Sequence, residues 1–323
     1  MIANKINYQS PIQMSKILVL AGGSVKGAYQ AGVVKAVFES GFRPDAIYGI
    51  SAGSMNASYL VNDFGRQVLE NDGNIDHKQA AINLADFWEN NINTPDSLAL
   101  RRGTYDLGMS AIRRNFEGLL DPTPLKEILH ENINIRNLNA SPVGLKVGAV
   151  DIINGSIIYA DPTYEHFLDY VMASSAIPIL MPVVNIGGLR KMAFLDGGLR
   201  DVAPVKKAIL DGADEIICIA CHTRNIDGGN FSYGNLLALV DRVMDIAVNE
   251  CLNADLDWAE FRNECLPLDG SIGTYGILEG QKRIKLKVIR PERPLEVDIQ
   301  NFDKEDIQRM LLLGYQHGRE EMI

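Results

Sequence analysis

The sequence predicts an α/β fold with a mainly parallel sheet, and three observations carry that expectation. A short apolar run, SKILVLAGG (15–23), ends in glycines and has the character of a buried strand. GAYQAGVVKAVFESG (27–41) follows, with Ala28, Ala31, Val34 and Phe38 at helical spacing and Gly41 placed to end the helix. A second strand, DAIYGI (45–50), and a second helix, AGSMNASYLV (52–61), repeat the alternation. Strand, helix, strand, helix is the rhythm of parallel strands joined by crossover helices.

Further along, strands are expected in VGLKVGAVDI (143–152), SIIYA (156–160), MPVVNI (181–186), KMAFL (191–195), EIICIA (215–220) and RIKLKVI (283–289). Helices are expected around 77–92, 122–132, 165–175, 204–212, 234–262 and 303–321. The last opens with Asp303 and Asp306, acidic residues suited to a helix N-terminus. The stretch 62–125 is the least regular and reads as an insertion, a candidate lid, over one end of the sheet. Residues 16–323 read as one domain, preceded by a loosely attached segment, 1–15. No repeat or low-complexity segment interrupts the chain.

The bulk numbers are those of a globular protein: 323 residues, 46% hydrophobic and 22% charged. A net charge of −10, without a Lys/Arg-rich block, disfavours nucleic-acid phosphates as partners. MIANKINYQSPIQM lacks the apolar centre of a signal peptide, and no run of apolar residues is long enough to span a bilayer. The expectation is a soluble, cytoplasmic protein. Cys218 and Cys221 form a C-x-x-C, but no second pair completes a zinc site. Their apolar, β-branched surroundings predict buried free thiols, with no metal.

The chemistry concentrates in three short stretches. Gly49-Ile50-Ser51-Ala52-Gly53 places a serine at a strand-to-helix turn, with small residues on either side. The helix N-terminus beside Ser51 favours an alkoxide there. AGGSVKG (21–27) leaves the first strand and opens the first helix. It fails the Walker pattern, because Ala28 and Tyr29 follow Gly27, and it fails G-x-G-x-x-G, because Ser24 holds the third position. What remains is a glycine loop whose amides suit an anion. FLDGGLRDVAP (194–204) sets Asp196 before Gly197 and Gly198, either as a base or as an ordinary Asp-Gly turn.

Taken together, these stretches resemble the patatin-like lipid acyl hydrolases, whose pattern is a G-G-G-x-[RK]-G loop, then G-x-S-x-G, then D-G-[GA]. Here they read Gly22-Gly23-Ser24-Val25-Lys26-Gly27, Gly49-Ile50-Ser51-Ala52-Gly53 and Asp196-Gly197-Gly198. ASSAIPILMPVV (173–184) also looks like the family's, and the resemblance spans roughly residues 16 to 221. Ser24 departs from the third glycine, and its Cβ needs room if that residue has φ > 0. The resemblance implies a three-layer α/β/α sandwich. It implies Ser51 as nucleophile, Asp196 as base, and residues Gly22 to Gly27 as the oxyanion cradle. It implies hydrolysis of lipid carboxylic esters, such as phospholipids, through an acyl-enzyme with neither metal nor cofactor. Lys26 then fixes its loop, or is simply a solvated lysine at a helix start.

Two other readings stay open. In a Ser-His-Asp hydrolase of chain order serine, acid, histidine, His222 is the candidate, since it ends an expected strand. His317 lies in the terminal helix, and His77, His130 and His166 fall on expected helices. A non-catalytic lipid- or partner-binding module needs neither Ser51 nor Asp196. Finally, SLALRRGTYDLGMSAIRRNFEGLL (97–120) mixes Leu98, Leu100, Met109, Ile112, Phe116, Leu119 and Leu120 with Arg101, Arg102, Arg113 and Arg114. It reads as a lid that meets a membrane surface transiently, or as a core helix with a solvated arginine face.

Overall fold

The computed structural model describes residues 16–103, 117–189, 191–226 and 236–323. The N-terminal segment 1–15 lies outside them, as do Met109, Ile112, Arg113, Arg114 and Phe116 of the candidate lid. In chain order the elements begin β1 (Lys16–Leu20), α1 (Gly27–Glu39), β2 (Ala46–Ile50), α2 (Ala52–Glu70), α3 (His77–Asn91) and α4 (Pro95–Leu98). There follow β3 (Leu100–Arg101), β4 (Leu120–Asp121), α5 (Thr123–Asn132), α6 (Ile135–Ala140), β5 (Gly144–Asp151), β6 (Ile157–Ala160) and α7 (Phe167–Ser174). The chain closes with β7 (Val184–Asn185), β8 (Ala193–Asp196), α8 (Val205–Leu210), β9 (Glu215–Ile219), α9 (Leu236–Glu264), β10 (Lys285–Ile289) and α10 (Lys304–Glu321).

The central sheet runs β10-β9-β1-β2-β5-β8-β7, with β6 also on β5. The first five of these strands are parallel, and β6, β7 and β8 are antiparallel to their neighbours. Because side chains alternate along a strand, the two faces build two cores. Leu18, Leu20 and Ile47 pack with Val34, Phe38, Phe64 and Trp88 of α1 to α3. Ile17, Val19 and Tyr48 pack with Val205 of α8 and with Leu252 and Leu256 of α9. The result is the three-layer α/β/α sandwich with a mainly parallel sheet.

Register positions the site. Leu20 pairs with Gly49 on one side and Ile219 on the other, and Ile50 pairs with Gly148. The chain leaving β1, β2 and β9 therefore emerges at one level, which brings the glycine loop, Ser51 and Cys221-His222 to the same edge. Antiparallel β8 enters from beyond that edge and stops at Asp196, opposite Ala149. Its last residue is thus level with Ser51.

The stretch from 62 to 125 divides. Helix α2 continues to Glu70, and α3 buries Leu84, Phe87 and Trp88 against the core. The periodicity is masked by buried polar groups: the Asp63 carboxylate accepts from Arg66, Gln67 and Asn83. Only beyond Asn91 does the chain become irregular, with the short α4 and the two-residue ladder between β3 and β4. At the C-terminus, Asp303 and Asp306 cap α10 reciprocally through each other's amides, at 3.0 and 3.2 Å. Helix α10 presses closely on α1, where a Cβ at Gly314 would lie 1.9 Å from the Tyr29 carbonyl oxygen.

Candidate active site

Ser51 has φ 54° and ψ −128°, a conformation that non-glycine residues rarely adopt. It is imposed by a tight turn between β2 and α2. A Cβ at Gly49 would lie 2.3 Å from the Gly53 carbonyl oxygen, and one at Gly53 only 2.1 Å from that of Leu20. Both glycines are therefore steric requirements of the elbow. Its backbone is pinned: the Ser51 N–H donates to Ser174 Oγ at 2.9 Å, and its carbonyl accepts the Ser54 N–H at 2.8 Å. The side chain stands at the N-terminus of a 19-residue helix, whose dipole favours negative charge on Oγ.

Asp196 closes β8, 6% exposed. Its Oδ1 accepts the Gly198 N–H at 2.8 Å. Burial raises its carboxyl to about 7, against the opposing pull of the Gly198 amide and the Ser51 hydroxyl. Both side chains line one cavity, of about 130 Å³.

The glycine loop supplies fewer free amides than its six residues suggest. The Gly22 N–H donates to the Val202 carbonyl and that of Lys26 to Gly23, each at 3.0 Å. The Gly27 N–H turns back to the carbonyls of Ser24 and Val25. The N–H groups of Gly23, Ser24 and Val25 have no hydrogen-bond partner among the described residues. The amides of Gly22, Lys26 and Gly27 thus hold the loop, while those of the three residues between Gly22 and Lys26 are left unpaired among the described residues. Ser24 occupies the left-handed region with φ 51°, as the third glycine of the pattern would, at a cost of about 1 kcal/mol. Gly27 packs, since a Cβ there would meet Trp88 at 2.6 Å.

Lys26 is not free in solvent. Its ammonium lies 3.6 Å from Asp245 on α9, and His222 Nε2 lies 3.4 Å from the same carboxylate oxygen. Burial pushes Asp245 up, but His222 and Lys26 outweigh it and hold the carboxyl at about 2. Burial, then the Lys26 ammonium, push the His222 imidazole below its usual range. His222 lines the same cavity as Ser51 but makes no hydrogen bond to Ser51 or Asp196 among the described residues. His317 instead meets the Tyr29 hydroxyl through Nδ1 at 2.5 Å, and His77 packs on the rings of Phe38 and Phe64.

A second cavity, of about 300 Å³, opens on the other side of Ser51. Ser24, Ser51, Ile177 and Ile299 line both. Met55, Trp88, Leu98, Leu125 and Met181 give the larger one apolar walls. Arg101 lines it too and reaches Gln300 Oε1 at 3.4 Å. Behind the smaller cavity, Asp255 Oδ2 accepts the N–H of Val202 at 3.1 Å, bracing the residue that holds Gly22. Sequence reasoning missed Ser174, Asp245 and Ile299. Ser174 sits in the ASSAIPILMPVV run already noted, whereas Asp245 and Ile299 carry no local signal. Cys218 and Cys221 are buried free thiols, and burial pushes Cys221 up to about 12. Among the described residues, no helix is long and apolar enough to cross a membrane.

A family model described as patatin-like phospholipase matches residues 18–209. The chain is 28% identical over 215 residues to YjjU, an uncharacterized protein of Escherichia coli (strain K12), covering 65% of this chain and 53% of that protein. It therefore spans about half the length of the curated relative it matches. VipD from Legionella pneumophila aligns in structure with a TM-score of 0.43 at 13% identity, covering 96% of this chain and 67% of that one. The heterodimeric ExoU–SpcU complex from the type III secretion system of Pseudomonas aeruginosa aligns with a TM-score of 0.32 at 14% identity, over 97% and 52%. With a strained serine elbow, a buried aspartate lining the same cavity and a family match over more than half its length, the chain belongs to the patatin-like phospholipase family.

Proposed function

We propose that the protein hydrolyses carboxylic esters of lipids through an acyl-enzyme on Ser51, with Asp196 as the only general base. The observation that carries this reading is geometric: Ser51 on its strained elbow and the buried Asp196 line one cavity together with Gly23, Ser24 and Val25, whose amides are unpaired among the described residues. Burial raises the Asp196 carboxyl to about 7, which suits proton transfer near neutral pH.

As Ser51 Oγ attacks the ester carbonyl, its proton passes to the Asp196 carboxylate. The carbonyl oxygen becomes an oxyanion, which the free amides of Gly23, Ser24 and Val25 receive. Collapse breaks the bond to the leaving alcohol, and Asp196 returns the proton to the departing oxygen. Water then attacks the acyl-serine, giving its proton to Asp196. The second tetrahedral intermediate releases the fatty acid as Ser51 recovers the proton. All of these steps use side chains and amides of this chain.

The test is labelling by a fluorophosphonate together with fatty-acid release from a lipid panel. Wild type is expected to label and turn over, Ser51→Ala to do neither, and Asp196→Asn to lose turnover. Persistent labelling of Ser51→Ala, or no labelling of wild type beside a control serine hydrolase, would overturn the proposal. The second outcome favours the non-catalytic binding module.

A further inference from the structure

The two cavities that meet at Ser51 differ in charge as well as in size, and this difference bears on what the enzyme cleaves. The larger has walls of Met55, Trp88, Leu98, Leu125 and Met181, suited to an acyl chain. The smaller lies on the Asp196 side, where the departing alcohol must collect its proton. Its charged side chains other than Asp196 are Lys26, Asp245 and Asp298, one ammonium against two carboxylates. The ammonium is engaged, 3.6 Å from Asp245. Asp298 stands exposed at the rim, held there by its own turn, where Oδ1 accepts the Gln300 N–H at 2.8 Å. The imidazole of His222 adds no positive charge at neutral pH.

Resting on the hydrolase reading above, we infer that the leaving-group side of this site is built for a neutral alcohol and rejects a phosphate. An incoming phosphate dianion would be repelled by two carboxylates and find the cation already paired. A hydroxyl-bearing glycerol would meet acceptors instead, on Asp245 and Asp298. The substrate class is therefore uncharged acylglycerols and similar neutral esters. Ile177 and Ile299 are the apolar residues that both cavities share beside Ser51.

The test compares a monoacylglycerol with its phosphate monoester carrying the same acyl chain, both in neutral detergent micelles. Fatty-acid release by wild type, Asp298→Asn and Asp298→Lys is measured, with p-nitrophenyl butyrate as a Ser51-dependent control. Wild type is expected to favour the neutral lipid at least tenfold in kcat/KM, Asp298→Asn to narrow the gap, and Asp298→Lys to narrow it further. Equal or better cleavage of the phosphorylated lipid by wild type overturns the inference. So does a ratio unmoved in both variants, or failure to cleave either lipid while p-nitrophenyl butyrate is still hydrolysed. Loss of Ser51-dependent cleavage of p-nitrophenyl butyrate itself marks failure of the hydrolase reading, and this inference falls with it.

Discussion

The Ser51 amide donates to the hydroxyl of Ser174 at 2.9 Å, so the end of α7 fixes the backbone of the elbow. A buried N–H left without an acceptor costs about 1–3 kcal/mol. Ser174→Ala is expected to lower stability by that order in urea unfolding. It should also lower kcat more than it raises KM, because the geometry of Oγ is disturbed while the cavities remain. Ser174→Thr, which keeps the acceptor, should recover part of both.

With Asp196 as the proposed base, its carboxyl is expected to set the pH profile. Its folded pKa, raised by burial to about 7, requires kcat/KM to climb with pH and level off above that value. The stability trend is opposite. A carboxyl whose folded pKa lies above its unfolded value, about 3.9, stabilises the fold least when ionised. That contribution is present below pH 4 and is lost as pH rises through about 7, on a scale of about 4 kcal/mol. Asp196→Asn, unable to ionise and still able to accept from Gly198, should be inactive yet more stable than wild type at pH 8. The gain should be of that same order, about 4 kcal/mol, and vanish below pH 4. Equal stability of the two proteins at pH 8 would contradict this.

His222 distinguishes a dyad from a triad. Its Nε2 faces Asp245 at 3.4 Å rather than Ser51. His222→Ala should therefore keep fluorophosphonate labelling and lose roughly tenfold or less in kcat, through a loosened Lys26–Asp245 pair. A loss of about 10⁴-fold, the scale of removing a triad member, would reinstate histidine as the base.

Asp255 and Asp201 form a buried carboxyl pair behind the glycine loop. Burial, and then the Asp201 carboxylate, raise Asp255, while burial also raises Asp201. The Tyr159 hydroxyl donates to Asp201, Lys206 adds a favourable field, and Asp255 accepts from Val202. Because Asp255 is raised, its stabilising contribution is present below about pH 4 and is lost as pH climbs from there through the raised folded value. Thermal unfolding of Asp255→Asn, which keeps an acceptor for Val202, should show a flatter fall over that window than wild type.

Much of the site is legible in the sequence because its demands are local. A tight elbow needs Gly49 and Gly53, and strands covered on both faces read as unbroken apolar runs such as ILVL. Ser24 is legible for the same reason, since the position demands the left-handed backbone whichever residue fills it. What is hidden depends on register. Which amides of the loop are free follows from Val202 taking the Gly22 N–H. Asp245 reaches Lys26 only because α9 crosses that end of the sheet. The continuation of α2 past Val61 is obscured because Asn62, Asp63 and Gln67 are buried polar residues that satisfy one another and their neighbours.

Strand β9 lies between β1 and β10, and α10 seals α1 from the far end of the chain. A fragment cut at residue 209, where the family match stops, would bare the whole flank of β1 to edge-to-edge aggregation. It would also uncover Tyr29 and remove Ile299 from both cavities. The last third of the chain thus completes both the sheet and the cavity around Ser51, and a fragment without it is expected to aggregate.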